Sequence, residues 1–188
     1  MKDKINKKNI FKKISDLANG TLKNNTKMTF EGFVLSMYFE DVIEEANIIL
    51  KKMSKNEFEL VRRQNLSGAG YQGLDIDLFN TKRQSISDVS TFSGGESFMA
   101  SLSLALGLSN VIRRNSSLVS IDSLFIDEGF GSLDQEETLD TAYNVLCGLK
   151  SSDRVIAIIS HVSELKNRIE NQIIVSKNDL GSSVVIKD

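Results

Sequence analysis

Two apolar runs with an amphipathic stretch between them constrain this chain more tightly than anything else in it. The first is Leu124-Phe125-Ile126 and the second is Val155-Ile156-Ala157-Ile158-Ile159. Neither run alternates apolar with polar residues, so neither suits a sheet with one wet face. Both suit strands of a parallel sheet that is covered on each side. Between them, Gln135 to Leu149 sets Leu139, Ala142, Leu146 and Leu149 on one helical stripe. A strand-helix-strand unit of this composition points to an α/β protein.

Each run ends in residues able to do chemistry. Asp127-Glu128 follows the first, and His161, the only histidine, follows the second. In open α/β sheets ligands bind at the C-terminal edge of the strands, so all three are expected on one edge. An aspartate there suits Mg²⁺ held partly through water, and a neighbouring glutamate suits orienting or deprotonating an attacking water. Two acids that merely end a strand at the solvent boundary are the plain alternative. His161 suits donation to a phosphate. It has no cysteine or histidine companion, which argues against zinc. Gly129 and Gly131 flank Phe130 and allow a sharp turn after the acids.

A second site precedes these. Ser93-Gly94-Gly95-Glu96 opens a long apolar helix, expected from Glu96 to Arg114. Ser93 and Glu96 form a capping box. The two glycines are not explained by capping, because each costs roughly 1 kcal/mol against alanine. They leave bare N–H groups at the positive end of a helix, where an anion such as phosphate binds. Further on, Ser132-Leu133-Asp134 ends with an aspartate that also caps the next helix, with Glu137 three residues beyond.

The remaining chain is read more briefly. Residues 1–19 set Ile10, Ile14, Leu17 and Ala18 on one helical face, with six lysines among the first thirteen residues. Those lysines suit either a solvated face or DNA phosphates. Thr29 to Met53 is a strong amphipathic helix. Phe58–Gln64 and Leu74–Asn80 read as strands, and Ile173–Val175 with Val184–Ile186 as a closing hairpin. Gly68-Ala69-Gly70-Tyr71-Gln72-Gly73 fits G-x-G-x-x-G but precedes a strand, where a dinucleotide fingerprint needs a helix. Net charge is −2 over 188 residues, which argues against wholesale coating of nucleic acid. The single cysteine, Cys147, falls among apolar residues and is expected to be buried. It also indicates a reducing, cytoplasmic setting. No apolar run is long enough to span a bilayer.

Taken in order, these motifs resemble those of ABC-type ATPases. Ser93-Gly94-Gly95-Glu96 is similar to their signature motif and Leu124 to Glu128 to their Walker B strand. Ser132-Leu133-Asp134 is similar to their D-loop and His161 to their switch histidine. Thr91-Phe92 before the signature, Gly129-Phe130-Gly131 after the acids, and Ile159-Ser160-His161-Val162 narrow this to a resemblance with the bacterial SbcC exonuclease subunits, over about residues 28–188. The chain has no G-x-x-x-x-G-K-[ST] loop to hold the β- and γ-phosphates.

The resemblance implies the C-terminal half of an ABC-type P-loop NTPase head. Such a lobe has a mainly parallel sheet covered by helices, β-hairpins, and a coiled-coil root over residues 1–27. It implies a chain excised from a longer protein and inactive alone, since the phosphate loop would come from an N-terminal lobe. Two heads would sandwich ATP and Mg²⁺. Ser93, Gly94, Gly95 and Glu96 would meet the nucleotide of the opposite head, and Asp134 would cross the interface. Asp127 would position the metal, with Glu128 and His161 catalytic. Implied partners are the N-terminal lobe, a second head, an SbcD-like nuclease and DNA, with no membrane. The alternatives are a DNA-binding scaffold lobe with degenerate motifs, or half of another ABC-type ATPase.

Overall fold

The computed structural model describes residues 2–21, 29–63, 74–115, 123–133, 136–149, 155–178 and 181–187. The G-x-G-x-x-G stretch and Asp134 lie outside them. The chain divides into two compact units, Met1–Ile121 and Asp122–Asp188.

In the first unit, helix α1 (Lys2–Ala18) is followed by α2 (Phe30–Met53). Thr29 caps α2 by accepting from the Gly32 N–H at 3.0 Å. Strands β1 (Phe58–Arg62), β2 (Ile76–Asn80) and β3 (Ser85–Asp88) make an antiparallel meander. Helix α3 (Gly94–Asn115) packs antiparallel on α2, with Arg114 beside Asp41 and Glu45 and Gly107 against Ala46. Val42, Ile43, Ala46, Ile49, Leu50 and Met53 of α2 and Met99, Leu102, Leu106 and Val111 of α3 are all under one-tenth exposed. This core is what periodicity expects of two amphipathic helices. The α3 helix is not buried all round, for Leu108 is 48% exposed.

Asn47 of α2 holds the free edge of β1. Its amide donates to the Leu60 carbonyl at 2.9 Å, and its Oδ1 accepts from the Leu60 N–H at 2.7 Å. A helix side chain thereby completes the hydrogen bonding of an edge strand.

In the second unit β4 (Ser123–Asp127) pairs in parallel with β5 (Val155–Ile159), joined through α4 (Glu136–Leu149). Parallel pairing is found here, and the other described sheets are antiparallel. A short helix α5 (Ser163–Arg168) leads to the hairpin β6 (Gln172–Asn178) and β7 (Gly181–Lys187). Leu139, Ala142 and Leu146 turn inward from α4, and Tyr143 donates to the Arg168 carbonyl at 3.1 Å.

Cys147 corrects an expectation, because it is exposed rather than buried. It sits one position past Leu146, off the inward stripe. There it neighbours Tyr143 one turn back, and its proximity together with burial holds the Tyr143 hydroxyl above its ordinary pKa.

The β4–β5 sheet is covered on one face. Ile126 is 8% exposed, whereas Phe125, Val155 and Ile159 on the opposite face are 73%, 63% and 59% exposed. The apolar strands are thus suited to cover on both faces, and among the described residues of this unit one face is covered.

Candidate functional site

The Ser93-Gly94-Gly95-Glu96 segment is a reciprocal capping box. The Ser93 Oγ accepts from the Glu96 N–H at 3.2 Å, and the Glu96 carboxylate accepts from the Ser93 N–H at 2.7 Å. Gly94 and Gly95 form the first turn of α3. The first N–H groups of a helix have no carbonyl of their own helix to donate to, and glycine puts no side chain before them. The segment therefore offers donors and a positive dipole end to an anion.

In the second unit the parallel register sets Asp127 opposite Ile159, and the ladder runs one step further as the Glu128 N–H donates to the Ile159 carbonyl at 2.9 Å. The strand pair therefore carries Asp127 and Glu128 on the edge from which Ser160 and His161 depart. His161 Nδ1 lies 2.9 Å from a Glu128 carboxylate oxygen. A carboxylate only accepts, so Nδ1 carries the shared proton. Side-chain exposure is 77% for His161 and 49% for Glu128, so this is a solvent-facing pair.

Glu128 adopts φ 59°, a left-handed conformation that non-glycine residues take at a cost of roughly 1–2 kcal/mol. Gly129 follows at φ 94° and continues the turn. Phe130 is fully buried and pins the one-turn helix Phe130–Ser132. Ser132 closes the turn by donating from its hydroxyl to the Gly129 carbonyl at 2.6 Å. Gly131 needs no positive φ. It lies beside the imidazole, where an added Cβ would sit 3.6 Å from His161 Cε1 and Nε2.

Among the described residues no cluster of three His, Cys, Asp or Glu side chains is built to cage a metal. Asp127 stands exposed at the strand end, beside the exposed Glu128 that is paired with His161. One carboxylate suits Mg²⁺, which keeps several waters and takes its other ligands from phosphate, and does not suit a structural metal.

A known family covers this region. The family described as "SbcC/RAD50-like, Walker B motif" matches residues 62–146. Those residues are similar to an SbcC/RAD50-like Walker B domain. The SbcC polypeptide of the SbcCD nuclease from Staphylococcus aureus strains JH9 and Newman is 46% identical over 174 residues, which is 93% of this chain and 17% of the relative. The chain thus spans under one-fifth of the length of those relatives.

Solved structures agree on the fold. A structure from work on ATP-driven dimerization and DNA-stimulated activation of SMC ATPases superposes with TM-score 0.64 at 16% identity, covering 84% of this chain and 89% of that one. The Smc head domain with an extended coiled coil, bound to the C-terminal domain of ScpA from Pyrococcus furiosus, gives 0.61 at 18% identity, covering 83% and 37%. The fold is the α/β fold of those Smc head domains.

Within the matched residues, sequence reasoning missed two features. One is β3, whose Ser-Ile-Ser-Asp carries a single apolar residue and gives no strand signal. The other is the left-handed Glu128. The neighbouring Gly129 is its only trace in the sequence.

Proposed function

We propose that this chain is the C-terminal lobe of the ATP-hydrolysing head of an SbcC-like DNA repair exonuclease. Residues 1–27 form its coiled-coil root and 28–188 the lobe. The phosphate loop comes from an N-terminal lobe of the same protein. The observation that carries this reading is the Glu128–His161 pair at 2.9 Å on one edge with Asp127, both acids lying in the matched residues 62–146.

Each residue has a distinct task. Asp127, exposed where its strand ends, would hold the magnesium ion. Magnesium, bound with ATP, supplies charge neutralisation of the phosphates. Glu128, held out of the strand by its left-handed backbone, orients a water for in-line attack and takes its proton. His161 has Nδ1 committed to Glu128, so Nε2 faces the γ-phosphate. That nitrogen contacts the phosphate and senses its presence. Ser93 and the Gly94 and Gly95 N–H groups contact the γ-phosphate of ATP held by a second head, Glu96 fixes their turn, and Asp134 crosses the interface. Because the γ-phosphate joins both heads, its hydrolysis separates them. That separation controls a partner SbcD-like nuclease acting on DNA ends in the cytoplasm. The bare face of β4–β5, with Phe125, Val155 and Ile159, is where the N-terminal lobe covers the sheet.

The test combines this chain with the N-terminal lobe. Turnover is expected from the pair and not from the chain alone. Glu128→Gln is expected to keep ATP-driven pairing of heads and to lower kcat by at least about 100-fold, the usual worth of a general base. Turnover that survives in this variant removes Glu128 from the role.

A further inference from the structure

The sheet that precedes the signature segment carries a charge cluster with no part in the chemistry above. In the β2–β3 register Asp77 lies directly opposite Asp88. Two like charges facing each other across antiparallel strands destabilise the pairing. Here a guanidinium lies between them. Arg63, just past β1, places Nε 3.0 and 3.1 Å from the two Asp77 carboxylate oxygens, and its Nη2 reaches Asp77 and also Asp88. The Arg63 N–H meanwhile donates to the Asp75 carbonyl at 2.9 Å, extending the β1–β2 ladder by one step. The guanidinium is therefore held by backbone on one side and by two carboxylates on the other. Asp77 is well covered, its side chain 13% exposed, so the clamp is partly desolvated there.

Asp88 is the last residue of β3 and the first of the approach to the signature. Its second oxygen accepts from the Ser90 N–H at 2.9 Å, and its carbonyl accepts from the Thr91 hydroxyl at 2.7 Å. The Phe92 N–H then donates to the Val89 carbonyl at 3.3 Å, and Ser93 caps α3. One carboxylate thus links the strand ladder to the turn that delivers Ser93, Gly94 and Gly95. Its other oxygen is occupied by Arg63.

We propose that Arg63 is a positioning residue for the signature segment. It neutralises the Asp77–Asp88 pair and fixes Asp88, and through Asp88 it sets the height and direction of the Ser93-Gly94-Gly95-Glu96 turn. The inference rests on the proposed function for its consequence, since a misplaced signature turn would weaken engagement of the opposite head and leave nucleotide binding in its own head untouched. The clamp itself stands on distances and register alone. Lysine is a poor substitute because it lacks the planar fork that serves two carboxylates together.

The experiment has two arms. In the first, hydrogen exchange is followed in the full chain. Arg63→Gln is expected to speed exchange of the hydrogen-bonded Ser90, Phe92, Ser93 and Glu96 amides by about tenfold, the factor for losing one favourable cross-strand pair and gaining an unfavourable one. Amides of α2 and α4 stay unchanged. Arg63→Lys falls between. Arg63→Gln combined with Asp77→Asn removes the repulsion and restores most of the protection. If Arg63→Gln unfolds the first unit, the double variant decides: recovery supports the clamp, and a second unfolded protein overturns it. Unchanged exchange in Arg63→Gln overturns it outright. In the second arm the chain is joined with the N-terminal lobe. Arg63→Gln is expected to leave ATP binding by one head within about twofold, and to weaken ATP-driven pairing of heads by about tenfold. Equal losses in both measurements overturn a positioning role. Wild-type heads that do not pair at all sink the proposed function instead, and the exchange arm still judges Arg63.

Discussion

Replacing Gly107 with alanine tests the packing that holds α3, and so the Ser93–Glu96 turn at its start, in place. An added Cβ would sit 2.7 Å from the Ala46 nitrogen, 2.8 Å from the Val42 carbonyl oxygen and 3.1 Å from the Ala46 Cα. All three are backbone atoms of α2, so no rotamer change relieves the overlap. Overpacking a core costs about 1–3 kcal/mol where side chains can yield, and here the upper end applies. Alanine returns about 1 kcal/mol through helix propensity. The net expectation is a loss of about 2 kcal/mol. With an m-value of about 2 kcal/mol per molar urea, the midpoint of the first unit drops by about 1 M at unchanged m. Helix-sensitive circular dichroism reads this directly. A midpoint that stays in place or rises would mean the two helices separate freely at this crossing, and the α2–α3 seam would then not register α3.

Other outcomes follow from the same geometry. Gly129→Ala forces alanine to φ 94° and is expected to cost about 1–2 kcal/mol and to lower turnover in the assembled head, while Gly131→Ala, in ordinary contact with His161, is tolerated in a thermal melt. Asn47→Ala leaves the N–H and carbonyl of buried Leu60 without their partners and is expected to cost about 2 kcal/mol by chemical denaturation. The Asp88 carboxyl is held below its ordinary 3.8, first by the Ser90 N–H and then by Arg63. A depressed pKa means the stabilisation is present above that ordinary value and is lost as pH falls through the folded one. Carboxyl titration by NMR should therefore show Asp88 below the free value, with Ser90 amide protection disappearing in the same acid range.

Much of the site could be read from the chain because local rules settle it. The capping box at Ser93 and Glu96 appears in both directions, since it needs residues only three apart. The ends of β5 match the sequence reading, and those of β4 and α4 fall within one residue of it, because apolar runs and a stripe at helical spacing are local patterns. Cys147 failed for a related reason. Its apolar neighbours in sequence are not its neighbours in space, because a helix advances about 100° per residue and carries it off the stripe. The Arg63 clamp was out of reach for a different reason. It joins residues 14 and 25 positions apart through a register that no local pattern reveals. The exposed face of β4–β5 marks a further limit. Apolarity in Phe125 and Ile159 records that a face is to be covered, without saying which segment covers it.

That face also bears on the handling of the molecule. Phe125, Val155 and Ile159 stand on a two-stranded sheet, and the β6–β7 hairpin adds Ile173, Val175, Val184 and Ile186, each more than 60% exposed. Protein purified without a companion segment therefore offers sticky strands to any other copy, and will form oligomers that owe nothing to nucleotide. Light scattering of such a sample should respond to mild detergent and ignore ATP. Only once those strands are shielded can a change in mass on adding ATP test the proposed engagement between heads.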